Sequence, residues 1–249
     1  MIVEVRGRVI DWEKGHWIPY PWRVDRTPYK VLIAEVLLKR TTRQAVAREF
    51  PRFIARFPDI ESLYRAPVGE VEEALRHLGL YRQRAQQLKG LAKVIVERFG
   101  GRIPNRWEDL VALPGVGPYV AGAVLSFGYG RPAPVVNSNV MRLLGRLLGT
   151  GSRRYEDYVR FGWVLVPERE HDYFNYGLID LGALVCSYRG AKCHSCPLRD
   201  LCVEYNEEVD RARAERLRGA YRTVVQTPRH LPTPSRCLTE TSRVWPSPP

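Results

Sequence analysis

Two glycines spaced two apart constrain this chain more than any other feature. They sit in Leu113-Pro114-Gly115-Val116-Gly117, after an apolar segment carrying Trp107, Leu110 and Val111 and before an Ala/Gly/Val-rich run. That order describes a helix, a tight hairpin and a second helix. Gly115 and Gly117 can take backbone angles closed to other residues. Their amides, with those of the second helix's first turn, can face an anion where a helix N-terminus adds partial positive charge. A phosphate diester suits such a cradle. The same residues fit a plain helix-turn-helix corner closed by a glycine cap, and the hairpin alone does not separate the two readings.

The rest of the chain narrows the choice. Its 39 Lys and Arg against 27 Asp and Glu leave a formal charge of +12, which favours a polyanionic partner such as nucleic acid or an anionic surface. No apolar run approaches the roughly 20 residues of a membrane span, and the opening MIVEVRGRVIDW lacks a secretory layout. A soluble protein of the cytoplasm is expected, with no membrane partner. Apolar residues recur at helical spacing over 44–57, 60–65, 68–78 and 82–99, with no sustained two-residue alternation, so the fold class is read as all-α. Residues 1–20 read as a short helix or an irregular arm. Asn105 is placed to cap the hairpin's first helix, and Asn137 or Ser138 to cap a helix over 140–148. Helices are also expected over 155–166 and 172–185.

Over 29–38, YKVLIAEVLL, apolar residues cover nearly the whole helical circumference, so this helix should be buried. Glu35 lies inside it. A carboxylate there is either at a solvent edge or a buried group with a raised pKa, lining a pocket and open to proton transfer. Lys39, Arg40, Thr41, Thr42 and Arg43 follow, a set that suits a phosphate backbone and also complements a helix C-terminus.

Cys186, Cys193, Cys196 and Cys202 follow the spacing C-x6-C-x2-C-x5-C, four of the five cysteines within seventeen residues. Such crowding argues for a metal centre ahead of disulfides. Zinc usually takes paired C-x2-C knuckles and only one is present. A [4Fe-4S] cluster tolerates uneven spacing better. Beyond about Asn206, a charged helix over 207–222 gives way to a Pro-, Ser- and Thr-rich tail read as disordered, with Cys237 alone in it.

Taken together, LPGVG, the segment some twenty residues after it and the cysteine spacing resemble the helix-hairpin-helix DNA glycosylase superfamily that includes endonuclease III. Within it, PWR at 21–23, EVLLKRTT at 35–42, LGLYRQRA at 78–85 and the tyrosine of LPGVGPY most resemble the archaeal thymine/uracil mismatch glycosylases. The resemblance implies two helical lobes with a DNA cleft between them. One is a six-helix lobe over 22–130 carrying the hairpin. The other, over 1–21 and 131–205, carries a four-cysteine [4Fe-4S] loop, and 206–249 forms the charged helix and tail. It also implies a monomer acting on double-stranded DNA that holds a mismatched or damaged base.

The site carries over residue by residue. Leu113, Gly115, Val116 and Gly117 would grip the strand, while Leu80 and Tyr81, with Lys39, Arg40 and Thr41, would meet the gap in the duplex. Position 119 holds lysine in the endonuclease III type, where its amine forms a Schiff base; here it is Tyr119, which implies base excision without strand cleavage. Glu35 matches a glutamate of the base pocket. The segment expected as V-D-x-N-V reads Val136-Asn137-Ser138-Asn139-Val140, so an amide stands where a catalytic carboxylate is expected. Either Asn137 makes this an inactivated variant, or it is native and positions water through its amide. The functions implied are excision of thymine or uracil opposite guanine, with adenine mismatch excision or non-catalytic lesion binding as alternatives.

Overall fold

The computed structural model describes residues 1–151, 154–205 and 211–226, and for 211–214 the backbone alone. Among them there is no strand. Thirteen α-helices run in chain order as α1 (Ile2–His16), α2 (Pro21–Val24), α3 (Pro28–Leu38), α4 (Arg43–Arg56), α5 (Ile60–Arg65), α6 (Val68–Ala74), α7 (Tyr81–Phe99), α8 (Trp107–Val111), α9 (Pro118–Ala123), α10 (Ser138–Leu148), α11 (Tyr155–Leu165), α12 (His171–Asp180) and α13 (Arg211–Gln226). The all-α reading holds for these residues. Cys237 and the tail from 227 onward lie outside the described residues, as do 206–210.

The helix α3 is the hub. Pro28 begins it and the Thr27 hydroxyl accepts from the Lys30 amide at 3.2 Å, so a fixed φ and a capped amide start it. From Tyr29 to Leu37 only Lys30 escapes burial, because α4, α7, α9 and a π-helical turn at 124–128 surround it. Burying each Leu, Ile or Val there contributes roughly 1.5–3 kcal/mol. Truncating the fully enclosed Leu32 to Ala would cost about 2–5 kcal/mol. Around α3, α7 packs on α5 and α6, and α8 on α9. Elsewhere α12 packs on α1 and α10, and α11 on α13. Edge-on contact of Trp107 with Trp163, centroids 5.2 Å apart, ties α8 to α11.

Several boundaries differ from the sequence expectation. The first segment is a regular helix. The helix begun at Val68 stops at Ala74, because the chain must turn through Leu80 in the left-handed region, φ 61°. Asn105 caps nothing: Arg106 occupies the position before α8 and offers no side-chain bond. After Asp180 the backbone widens into a π turn over 181–185 instead of continuing as α-helix, a distortion common where a helix carries a functional site. Asn137 does cap α10, its Oδ1 accepting from the amides of Asn139 and Val140 at 3.0 Å each.

Candidate nucleic-acid and catalytic site

Glu35 comes from α3 and Tyr119 from the first turn of α9. Glu35 is 6% exposed. Burial lifts its pKa to about 7, against the opposing pull of the Tyr119 phenol and of Arg23, Arg43 and Lys39. The phenol stands close enough to interact with the carboxyl without forming a well-aligned bond, and burial followed by the Glu35 charge drives its own pKa well up. Tyr119 still keeps accessible surface, so it is not sealed in the core.

Asn137 is brought beside α9 by backbone contacts that no local pattern specifies. A Cβ on Gly122, one turn beyond Tyr119, would lie 2.0 Å from the Pro134 carbonyl oxygen, so only glycine lets the segment 133–136 rest on α9. Asn175 of α12 holds that segment by donating to Ala133 O at 2.9 Å and accepting from Val135 N at 3.3 Å. The Tyr155 hydroxyl donates to Val136 O at 2.8 Å and lies within reach of the Tyr119 amide. Asn137 therefore follows directly on a residue that shares a hydroxyl with Tyr119. Its Oδ1 is occupied by the cap, which leaves the Nδ2 donor as the other polar group of the side chain.

Beneath lies an ionic cluster that sequence reasoning missed. Arg23 of α2 makes a bidentate pair with Asp180 at the end of α12, at 2.8 and 3.0 Å, and approaches Glu13 of α1 at 3.4 Å. Arg43 joins Asp180 at 2.6 Å. Glu13, Arg23 and Asp180 are 0%, 3% and 1% exposed. Burial, reinforced by Asp180, pushes Glu13 up to about 8, so it holds its proton at neutral pH. Tyr176 packs flat on Phe127 with the Arg23 guanidinium 4.3 Å from its ring. Of its members the sequence singled out Arg23, within PWR, and Arg43, in the cation run after α3, but not their pairing.

The hairpin and the α3–α4 turn form one surface. Gly115 has φ 75°, and a Cβ there would lie 2.3 Å from Gln87 Nε2. Gly117, by contrast, has φ −94° and open space around it, so it needs no glycine for conformation. Leu113 and Val116 are buried and the Val116 amide donates to Leu113 O, so their side chains serve the core and not a strand. The amides of Gly115 and Gly117 have no acceptor among the described residues. Lys39 donates to Gly115 O at 2.6 Å, tying this surface together. Arg84, 4% exposed, donates to the carbonyls of Gly79, Val36, Leu37 and Lys39 at 2.6–2.8 Å and to the Thr41 hydroxyl. Thr41 is thus a brace for the turn. Beside Arg40 and Leu80, both at positive φ, lies a cleft of about 140 Å³ lined also by Val36, Lys39, Gln83, Arg84 and Gln87. Leu80 is 49% exposed at its rim, and Tyr81 behind it is half-buried.

The four cysteines are half-buried free thiols. Arg146 Nη1 reaches Cys186 Sγ at 3.5 Å. Burial raises Cys196 to about 11 and raises Cys202; Cys196 feels the other three sulfurs, and Cys202 those of Cys186 and Cys193. Among the described residues, no three His, Cys, Asp or Glu side chains close on a single metal-binding point.

Residues 33–168 match the HhH-GPD superfamily of base excision DNA repair proteins, and the chain belongs to that family. It is 39% identical over 216 residues to the thymine-DNA glycosylase of Aeropyrum pernix, covering 83% of this chain and 96% of that one. It is 35% identical to the adenine DNA glycosylase of Buchnera aphidicola subsp. Schizaphis graminum over 76% of this chain and 55% of that one. The solved structure of a thermostable thymine-DNA glycosylase superposes with a TM-score of 0.78 at 33% identity, over 81% of this chain and 94% of that one.

Proposed function

We propose that this protein is a monofunctional DNA glycosylase that removes thymine or uracil opposite guanine from double-stranded DNA, acting as a cytoplasmic monomer at the nucleoid. The observation that carries the reading is Tyr119 on the first turn of the hairpin's second helix, against the buried Glu35 and beside the segment that ends in Asn137. Glycosyl hydrolysis needs an everted nucleoside, stabilisation of an oxocarbenium-like sugar and a positioned water. The open amides of Gly115 and Gly117 and the α9 N-terminus hold a phosphate, while Lys39, Arg40, Leu80 and Tyr81 occupy the gap left by the base. The helices around α3 and those around α12 act as the two lobes, 22–130 and 1–21 with 131–205, and grip the duplex between them. A phenol forms no imine, so Tyr119 leaves the DNA strand uncleaved.

Asn137 weakens the reaction. An aspartate would keep the α10 cap with one oxygen and present the other, charged, to the sugar. Asn137 presents a donor there, which can orient water but neither accepts its proton nor offsets positive charge. Losing such a group costs on the order of 100-fold in rate. The cysteine loop takes a [4Fe-4S] cluster. Its four half-buried thiols lie in one short loop, and their uneven spacing suits a cluster better than a single zinc ion. Cys186, Cys193, Cys196 and Cys202 would bind it, with Arg146 against Cys186. The cluster, when bound, orders this loop against the DNA.

Single-turnover excision on duplexes with T·G, U·G and adenine opposite oxidised guanine, run with the protein and its Asn137→Asp variant, tests this. Release of thymine or uracil, faster in the variant, is expected. Release of adenine alone would make it an adenine mismatch glycosylase, and silence in both forms would make it a lesion binder.

A further inference from the structure

The ion cluster below Glu35 carries more positive charge than its carboxylates balance. Arg23 and Arg43 share the single carboxylate of Asp180, and Glu13 holds its proton at neutral pH. The members also differ in access. Arg23, Asp180 and Glu13 are sealed, whereas the Arg43 side chain keeps 25% of its surface. Nη1 of Arg43 is anchored on Asp180 at 2.6 Å, and the rest of its guanidinium has no hydrogen-bond partner among the described residues. The ring of Tyr20 lies 5.9 Å away. Its positive charge acts on both Glu35 and Tyr119, which places Arg43 in their neighbourhood. Helix electrostatics do not account for this placement. Arg43 opens α4, where the N-terminal partial charge disfavours a cation.

We propose that Arg43 is a catalytic residue for departure of the base, its free guanidinium edge donating to an exocyclic carbonyl oxygen of the everted pyrimidine. This rests on the pyrimidine reading above. As the C1′–N1 bond breaks, its electron pair leaves on N1 and spreads onto O2 and O4. Water adds its oxygen to C1′ and releases a proton to solvent, and solvent returns a proton to the pyrimidine anion. Arg43 holds the negative charge while it exists. A guanidinium pinned by a buried carboxylate is already oriented for this, which is where a charge-assisted hydrogen bond contributes most.

The test is the leaving-group dependence of single-turnover excision opposite guanine, for thymine, uracil and 5-fluorouracil, in the full-length protein and in Arg43→Gln and Arg43→Lys, each also with Asn137→Asp. The poorest leaving group, thymine, needs the donor most and 5-fluorouracil least. Arg43→Gln should lose on the order of 100-fold on thymine but under about tenfold on 5-fluorouracil, and Arg43→Lys should restore part of the thymine rate. Ratios within one variant cancel any loss of folded protein. Equal slowing across the three bases, as for a phosphate contact or a purely structural role, overturns the assignment to Arg43, as does no slowing at all. Failure of the unsubstituted protein and its Asn137→Asp form to release any pyrimidine overturns instead the reading on which it rests.

Discussion

Glu35→Gln should stabilise the protein, and more so as pH rises. Ionising Glu35 inside α3 is opposed because burial removes water that no partner fully replaces. Its pKa moves from 4.5 to about 7, and at 1.36 kcal/mol per pKa unit the ionised form costs about 3 kcal/mol. The folded value is the higher one. Below pH 4.5 both states hold the proton and nothing is lost. Between 4.5 and 7 the unfolded chain has released it while the folded chain has not, so stability falls as pH rises. Above 7 the full cost applies. Glutamine mimics the protonated form and removes this dependence, so the variant should gain about 1 kcal/mol at pH 5 and about 3 kcal/mol at pH 8. Glu13 titrates in the same sense but is common to both proteins, and the difference between them isolates Glu35. Urea midpoints at the two pH values measure it. An identical gain at pH 5 and pH 8 would refute the argument, since it would mean that Glu35 carries the same charge in the folded and unfolded chain.

Three further outcomes follow from the same geometry. Tyr119→Lys places an amine beside the sugar, and borohydride should trap an enzyme–DNA adduct that the parent never gives; no adduct would remove residue 119 from the reacting centre. Gly115→Ala forces a left-handed residue and a clash with Gln87. It should cost roughly 1–2 kcal/mol in thermal unfolding and weaken duplex binding, and an unchanged melting temperature would contradict the hairpin geometry. Purified protein should be brown and contain iron and sulfide in equal amounts, losing colour and duplex affinity together when Cys196 is changed to Ser; colourless protein containing zinc would replace the cluster by a single ion.

Legibility in the sequence followed the reach of each interaction. The span 60–65, closed by a reciprocal Asp59–Ser62 cap, and the Asn137 cap are readable because donor and acceptor sit within three residues. Glu35 stood out because one carboxylate interrupts an apolar circumference. What misled was also local. Gly117 looks like Gly115 and adopts an ordinary φ, and Asn105 is a good capping residue one position too early. Arg43 reads as one of three cations after α3, yet its partner Asp180 is far along the chain.

On its own, the order of residues determined that the chain is helical, that a tight hairpin interrupts it and that four thiols crowd one loop. Those follow from periodicity, conformational freedom and spacing, which act over a few residues. Tertiary structure decided that Gly122 admits Pro134, that Arg84 braces the Leu80 turn and that Arg23, Arg43, Asp180 and Glu13 share one buried cluster beneath Glu35. Close approach and charge pairing depend on distance in space, and residues 157 apart meet there at 2.8 Å with nothing in their neighbours to announce it.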